Sequence, residues 1–113
     1  MAEHYEEAVS MAYYSMYHEV MALFFRTGIK CENHSAAILL LKEVYSIDNT
    51  PLSDAKRERI DKQYYVDATA TKEEVNDLIR TAELFNAHLL DFIERITNEK
   101  IAKYREKMRE LVE

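Results

Sequence analysis

The 113-residue chain predicts an all-α fold: an antiparallel four-helix bundle with a C-terminal helical extension. Three observations carry that prediction. Apolar residues recur three and four positions apart over long stretches, helix-capping residues open those stretches, and glycine and proline occur once each, at Gly28 and Pro51. A β-sandwich needs several tight turns with positive φ, which one glycine cannot supply.

The first helix is expected from about Glu3 to Thr27. Tyr5, Val9, Ala12, Met16, Val20, Leu23 and Phe24 form its apolar face, with Glu3, Glu7, Ser10 and Tyr14 opposite. Gly28 follows as its stop, since glycine takes the left-handed conformation without a Cβ clash. Asn33 or Ser35 caps a second helix, which runs through Ala36–Leu41 to about Tyr45 and whose unbroken apolar run implies burial on most sides. Thr50 caps a third helix with Pro51 at its first position, where a missing N–H costs nothing. That helix runs to about Tyr65 and turns Leu52, Ala55 and Ile60 inward.

Thr71-Lys-Glu-Glu74 reads as a capping box that opens the fourth helix. Its buried stripe is Val75, Leu78, Ile79, Ala82, Phe85, Leu89, Phe92, Ile93 and Ile96. The period continues more thinly through Ile101, Tyr104, Met108 and Leu111. Unbroken to the end, this helix would be about 60 Å long and would overhang the bundle or fold back on it. The expected division is therefore a bundle over residues 1–97 and a helical extension over 98–113. The extension reads either as a helix that needs a partner, such as a second protomer, or as a charged, frayed tail.

Composition excludes several function classes. One cysteine, Cys31, forbids an intrachain disulfide and any zinc site built on a cysteine pair. A dinucleotide fingerprint needs three glycines and a Walker A loop two. The longest apolar runs, Val20–Phe25 and Ala36–Leu41, are six residues each, far short of a bilayer span. The acidic N-terminus is unlike a signal peptide, so the expected location is cytoplasmic, with no membrane association. The net charge of −6 argues against avid, nonspecific nucleic-acid binding. No cofactor is called for.

No Glu-x-x-His motif precedes any of the four histidines, so the di-metal pattern of some bundles is absent. Cys31-Glu-Asn-His34 is half of a zinc-like spacing with no second half, and reads as a loop cysteine and a helix-start histidine. His18 reads as a boundary residue satisfied by a neighbouring hydroxyl or carboxylate. Tyr13, Tyr14 and Tyr17 read as packing residues with solvent-reaching hydroxyls. The densest polar segment is Lys56 to Tyr65. Arg57–Asp61 and Glu58–Lys62 are i,i+4 pairs that suit a solvated face. In the functional alternative Arg57 or Arg59 holds a phosphate, with Tyr64 or Tyr65 near a base or sugar.

Ala12-Tyr-Tyr-Ser-Met-Tyr-His18, Ala22-Leu-Phe-Phe, Gly28-Ile29 and Asn33-His34-Ser35 opening a helix together resemble the HEPN ("higher eukaryotes and prokaryotes nucleotide-binding") domain, particularly its small stand-alone prokaryotic members. Arg59 to Tyr65 resembles its third helix, and the likeness spans about Ala8 to Ile96. The resemblance implies a helical homodimer that binds a nucleotide or RNA and partners a minimal nucleotidyltransferase in a toxin–antitoxin-like pair. Ribonuclease members of the family carry an Arg, four to six intervening residues and then a His, and cleave RNA without metal. From Arg59 the corresponding positions are Tyr64, Tyr65 and Val66, and from Arg57 they are Lys62, Gln63 and Tyr64. None is His, and tyrosine, with an unperturbed pKa of about 10, is a poor base near neutrality. Only the arginine carries over, to Arg59 first and Arg57 second, as a phosphate contact. Tyr64 and Tyr65 are the candidate ligand-contacting or modified residues. The sequence thus reads as a binding protein rather than an enzyme; the alternatives are a metal-independent ribonuclease with a substituted active site, or a noncatalytic helical assembly module.

Overall fold

The computed structural model describes residues 2–64 and 71–112, with side chains for 5–60 and 71–112. Among the described residues there are five helices and no strand: α1 (Ala2–Thr27), α2 (His34–Glu43), α3 (Thr50–Tyr64), α4 (Lys72–Arg95) and α5 (Asn98–Val112). No described helix is long and apolar enough to cross a membrane.

α1 is the axis of the molecule. Tyr13, Met16, Val20 and Leu23 are completely buried along it, and α4 and α3 are its principal partners. Arg59 of α3 lies over Tyr13 and Tyr14, whereas Ile47 and Pro51 line a cavity with Phe85, Leu89 and Phe92. α3 therefore runs antiparallel to both α1 and α4. α2 runs in the direction of α1: His34 at its start meets Tyr13 and Tyr17, and Tyr45 just past its end meets Phe24 and Thr27.

The helix ends follow local chemistry. Gly28 has φ +76°, with its N–H on the Phe25 carbonyl at 3.2 Å and the Ile29 N–H on the Phe24 carbonyl at 2.9 Å. This is a left-handed C-terminal cap that absorbs the helix's orphan carbonyls. Asn33, not Ser35, caps α2: its side-chain oxygen accepts from the Ala36 N–H at 2.9 Å. α2 is less enclosed than its apolar run suggests. Ala37, Ile38 and Leu41 are buried but Leu39 is 56% exposed, because one face of the helix has no neighbour.

The start of α3 is shifted from the expected one. Asp48 accepts from the Thr50 N–H at 3.0 Å and Ser53 donates to the Asn49 carbonyl at 2.9 Å, so Thr50 is already helical and Pro51 is the second residue. The carboxylate of Asp48 reaches the first free N–H and takes the role expected of the Thr50 hydroxyl. Leu52 and Ala55 are buried, Ile60 half-buried, and Tyr65 falls outside the described residues. Thr71 caps α4 by accepting from the Glu74 N–H at 3.1 Å, and its hydroxyl donates to the Glu74 carboxylate at 3.2 Å. Val75, Ala82, Phe85 and Leu89 are buried along α4, while Ile79 sits at the exposed edge.

The long fourth helix does not continue to the end of the chain. Ile96 is extended (φ −68°, ψ 133°), and Thr97 opens α5 by accepting from the Lys100 N–H at 3.2 Å. α5 then lies across the end of the bundle where α1 and α2 stop and α3 begins. Tyr104 packs on Tyr45 at 4.9 Å and on Phe92 at 6.1 Å, and Arg105 sits beside Gly28. Tyr104 and Met108 of the thin stripe thus find their partners within the same chain, while Leu111 is exposed.

Gly28→Ala is expected to lower the unfolding free energy by about 1–2 kcal/mol, the cost of a Cβ in the left-handed region. An added Cβ would stand 3.8 Å from Arg105, an ordinary contact, so the loss is conformational rather than steric. Urea denaturation measures it directly.

Candidate functional site

Near its middle, α1 carries Tyr13, Tyr14, Tyr17 and His18, with Tyr13 and Tyr17 one turn apart on a single face. The Asn33 cap places His34 as the first residue of α2, beside that face. α3 turns Lys56 and Arg59, three residues apart, toward the same place. Three helices therefore contribute to one cluster.

The Tyr13 hydroxyl lies 2.7 Å from Nδ1 of His34. The His34 ring stacks on Tyr17, with centroids 3.8 Å apart and planes 13° apart, and meets Tyr14 edge-on at 6.3 Å. Lys56 Nζ donates to the Ser35 hydroxyl at 2.7 Å, tying α3 to the first turn of α2. The Arg59 guanidinium lies 5.0 Å from the Tyr14 ring centroid and 5.6 Å from that of Tyr13. A cation held over ring faces at these distances keeps its terminal N–H groups as donors for an anionic acceptor. Arg59 Nε is buried without a hydrogen-bond partner, and no described acidic side chain pairs with the residue.

The electrostatics match that geometry. Burial first, then Lys56 and Arg59, hold His34 below its ordinary pKa of 6.5, so the ring is neutral at pH 7. Burial pushes the Tyr13 phenol up to about 12, against a smaller opposing pull from Arg59. Burial also raises Tyr17, with Cys31 and Glu32 adding to it. The cluster is a cationic spot with aromatic walls on a protein of net charge −6. Its hydrogen-bond donors suit a phosphate or carboxylate group, and the exposed Tyr14 offers a ring face beside them.

Of the residues singled out from sequence, Arg59 enters this cluster and Arg57 does not. Two positions apart on a helix means about 200° around it, and Arg57 is exposed and pairs with Asp54 at 3.6 Å. The Tyr64 backbone closes α3, but its side chain, those of Asp61 and Lys62, and all of Tyr65 lie outside the described residues. Tyr13 departs from the expected solvent-reaching role: it is completely buried, and its hydroxyl meets His34. His18 is exposed beside the Tyr14 and Tyr17 rings, each at 6.5 Å, without the hydroxyl or carboxylate partner expected for it among the described residues. Cys31 donates weakly to the Asn33 carbonyl at 3.5 Å. Among the described residues no group of three or more His, Cys, Asp or Glu side chains could hold a metal ion.

His34 and Lys56 are the site residues that periodicity does not single out. The signals for them are the asparagine cap, which fixes where α2 begins, and the i,i+3 spacing of Lys56 with Arg59.

Fold and site together define an all-helical protein with an anion-suited cluster where its first three helices meet. A family model, the HEPN domain, matches residues 1–91, and the chain belongs to that family. No curated protein and no solved structure matches it.

The depressed His34 pKa has a measurable consequence. Below about pH 6.5 the unfolded chain binds a proton at this position that the folded protein resists, so unfolding free energy falls as pH drops through that range. In His34→Gln this contribution is absent. Denaturation series from pH 5 to 7 should show a shallower pH dependence for the variant than for the wild type.

Proposed function

We propose that this HEPN protein is a nucleotide- or RNA-binding homodimer that acts as the noncatalytic partner of a minimal nucleotidyltransferase, with Arg59 as its phosphate contact. The carrying observation is Arg59 itself: a guanidinium over two tyrosine rings, one turn from Lys56, with no described acid to neutralise it. Arg57 and Arg95, exposed on their own helices, pair with Asp54 and Asp91, whereas Arg59 has no described carboxylate partner. Family membership supports the partner, since HEPN proteins are often paired with nucleotidyltransferases. The absence of His at the fifth to seventh positions after Arg59 supports binding without cleavage.

On this reading Tyr14 supplies a face for a base or sugar. Arg57 is peripheral, and Tyr64 and Tyr65 are candidate ligand-contacting or modified residues from the family resemblance. The ligand's phosphate takes the terminal N–H groups of Arg59.

Titrating the protein with ATP and with a short single-stranded RNA tests the proposal. Arg59→Ala is expected to weaken binding by about tenfold or more, the worth of a charged hydrogen bond. Arg57→Ala should stay within about twofold. Equal binding by wild type and Arg59→Ala would remove Arg59 from the site. Co-expression with a minimal nucleotidyltransferase encoded beside this chain should give a complex that survives size-exclusion chromatography, and separate elution of the two would count against the partnership.

A further inference from the structure

We propose that His34 is a ligand-contacting residue of the Arg59 site and that Tyr13 is a positioning residue that fixes its tautomer, so that neutral His34 offers Nε2–H to a phosphate oxygen. This rests on the reading of Arg59 as a phosphate contact and adds to it a second, uncharged donor from another helix.

The argument starts at the Tyr13 hydroxyl. Tyr13 is completely buried, and among the described residues its hydroxyl has one partner, Nδ1 of His34, at 2.7 Å. Burial keeps the phenol protonated well above neutral pH. A buried hydroxyl hydrogen with no acceptor is costly, so the hydrogen points to Nδ1. Nδ1 is then the acceptor nitrogen of the neutral imidazole, and the ring proton resides on Nε2.

The direction of that N–H is set as well. Stacking on Tyr17 fixes the plane of the ring, and the hydrogen bond at Nδ1 fixes its rotation within that plane. The groups packed around it are Tyr13, Tyr14 and Tyr17 from α1, and Lys56 and Arg59 from α3. The two cations disfavour an imidazolium beside them, so His34 contributes a hydrogen bond and not a third charge. A phosphate has enough oxygens to accept from all three residues. The same tautomer leaves Nε2 without a lone pair, so His34 is not arranged there to take a proton from a ribose hydroxyl.

Two measurements test this. Long-range proton–nitrogen correlation spectra of histidine-labelled protein at pH 7.5 should show His34 as a single tautomer protonated at Nε2, and Tyr13→Phe should give a mixture. Titration with AMP should shift the Nε2 resonance. Binding of AMP should fall about tenfold in His34→Ala, the worth of one hydrogen bond to a charged group. It should be kept within about threefold in His34→Gln, whose amide N–H reaches the place of Nε2. A proton on Nδ1 in the wild type, or His34→Ala binding AMP like wild type while Arg59→Ala does not, overturns the role of His34 and leaves the Arg59 reading standing. Wild type that binds no AMP, or Arg59→Ala that binds it equally well, overturns the Arg59 reading itself. Should His34→Ala fail to fold, the tautomer and the His34→Gln affinity decide the matter on their own.

Discussion

The structure depends on one face of α1, against which all four other helices pack. Tyr13, Met16, Val20 and Leu23 are completely buried there and Val9, Phe24 and Thr27 nearly so, a stripe about 100° wide, while Met11 and Phe25 on the opposite side face water. That stripe has to be covered. α3 and α4 flank it, α2 covers part of it, and α5 packs over its C-terminal end. The Thr27 hydroxyl shows how closed that end is. It bonds the Leu23 and Phe24 carbonyls of its own helix and also the buried Tyr45 hydroxyl at 2.6 Å, so no polar atom there is left without a partner.

The same constraint creates the candidate site. A face shared by several helices brings their side chains to one point, and at the level of Tyr13 those side chains are polar. Tyr13 belongs to the core by burial and to the site by its hydroxyl. Its ring supports Arg59 from below, and its oxygen orients His34. The surface ion pairs stand apart from this arrangement. Arg80–Asp77, Arg95–Asp91 and Arg109–Glu106 are exposed neighbours on their own helices and contribute little each.

What the sequence made legible was local. Gly28, Asn33 and Thr71 end or begin helices through atoms within four residues, so their roles follow from residue type and position. The buried stripes of α1 and α4 follow from period alone, and the resemblance to the HEPN family rested on segments of α1, on Gly28-Ile29 and Asn33-His34-Ser35, and on Arg59 to Tyr65. The sequence leaves open whether the fourth helix continues past residue 97, because the apolar period runs across that point. Thr97 was the sign, a threonine three residues before the N–H it caps. The pairing of Asp48 with Thr50 was missed because two neighbouring residues compete for one cap. In the site, Arg59 was legible as a basic residue in a dense polar segment. Its separation from Arg57 followed from helical geometry once the facing helix was known. His34 was not legible as a partner of Tyr13, because twenty-one residues separate them and no local rule links the end of a loop to the middle of the preceding helix.

The covering of that face of α1 also governs the order in which the molecule can assemble. α1 leaves the ribosome first, but its largest partner, α4, begins only at Lys72. At typical rates of synthesis that is an interval of several seconds. Throughout it, a helix with a full apolar stripe has only the short α2 and then α3 to cover it. Its four acidic residues, with no lysine or arginine before Arg26, keep like charge on every copy during that interval. The bundle closes α1 on α4, with Ser15 and Asn86 hydrogen-bonded across 71 residues, so its chain-closure demands are less local than its all-helical content suggests.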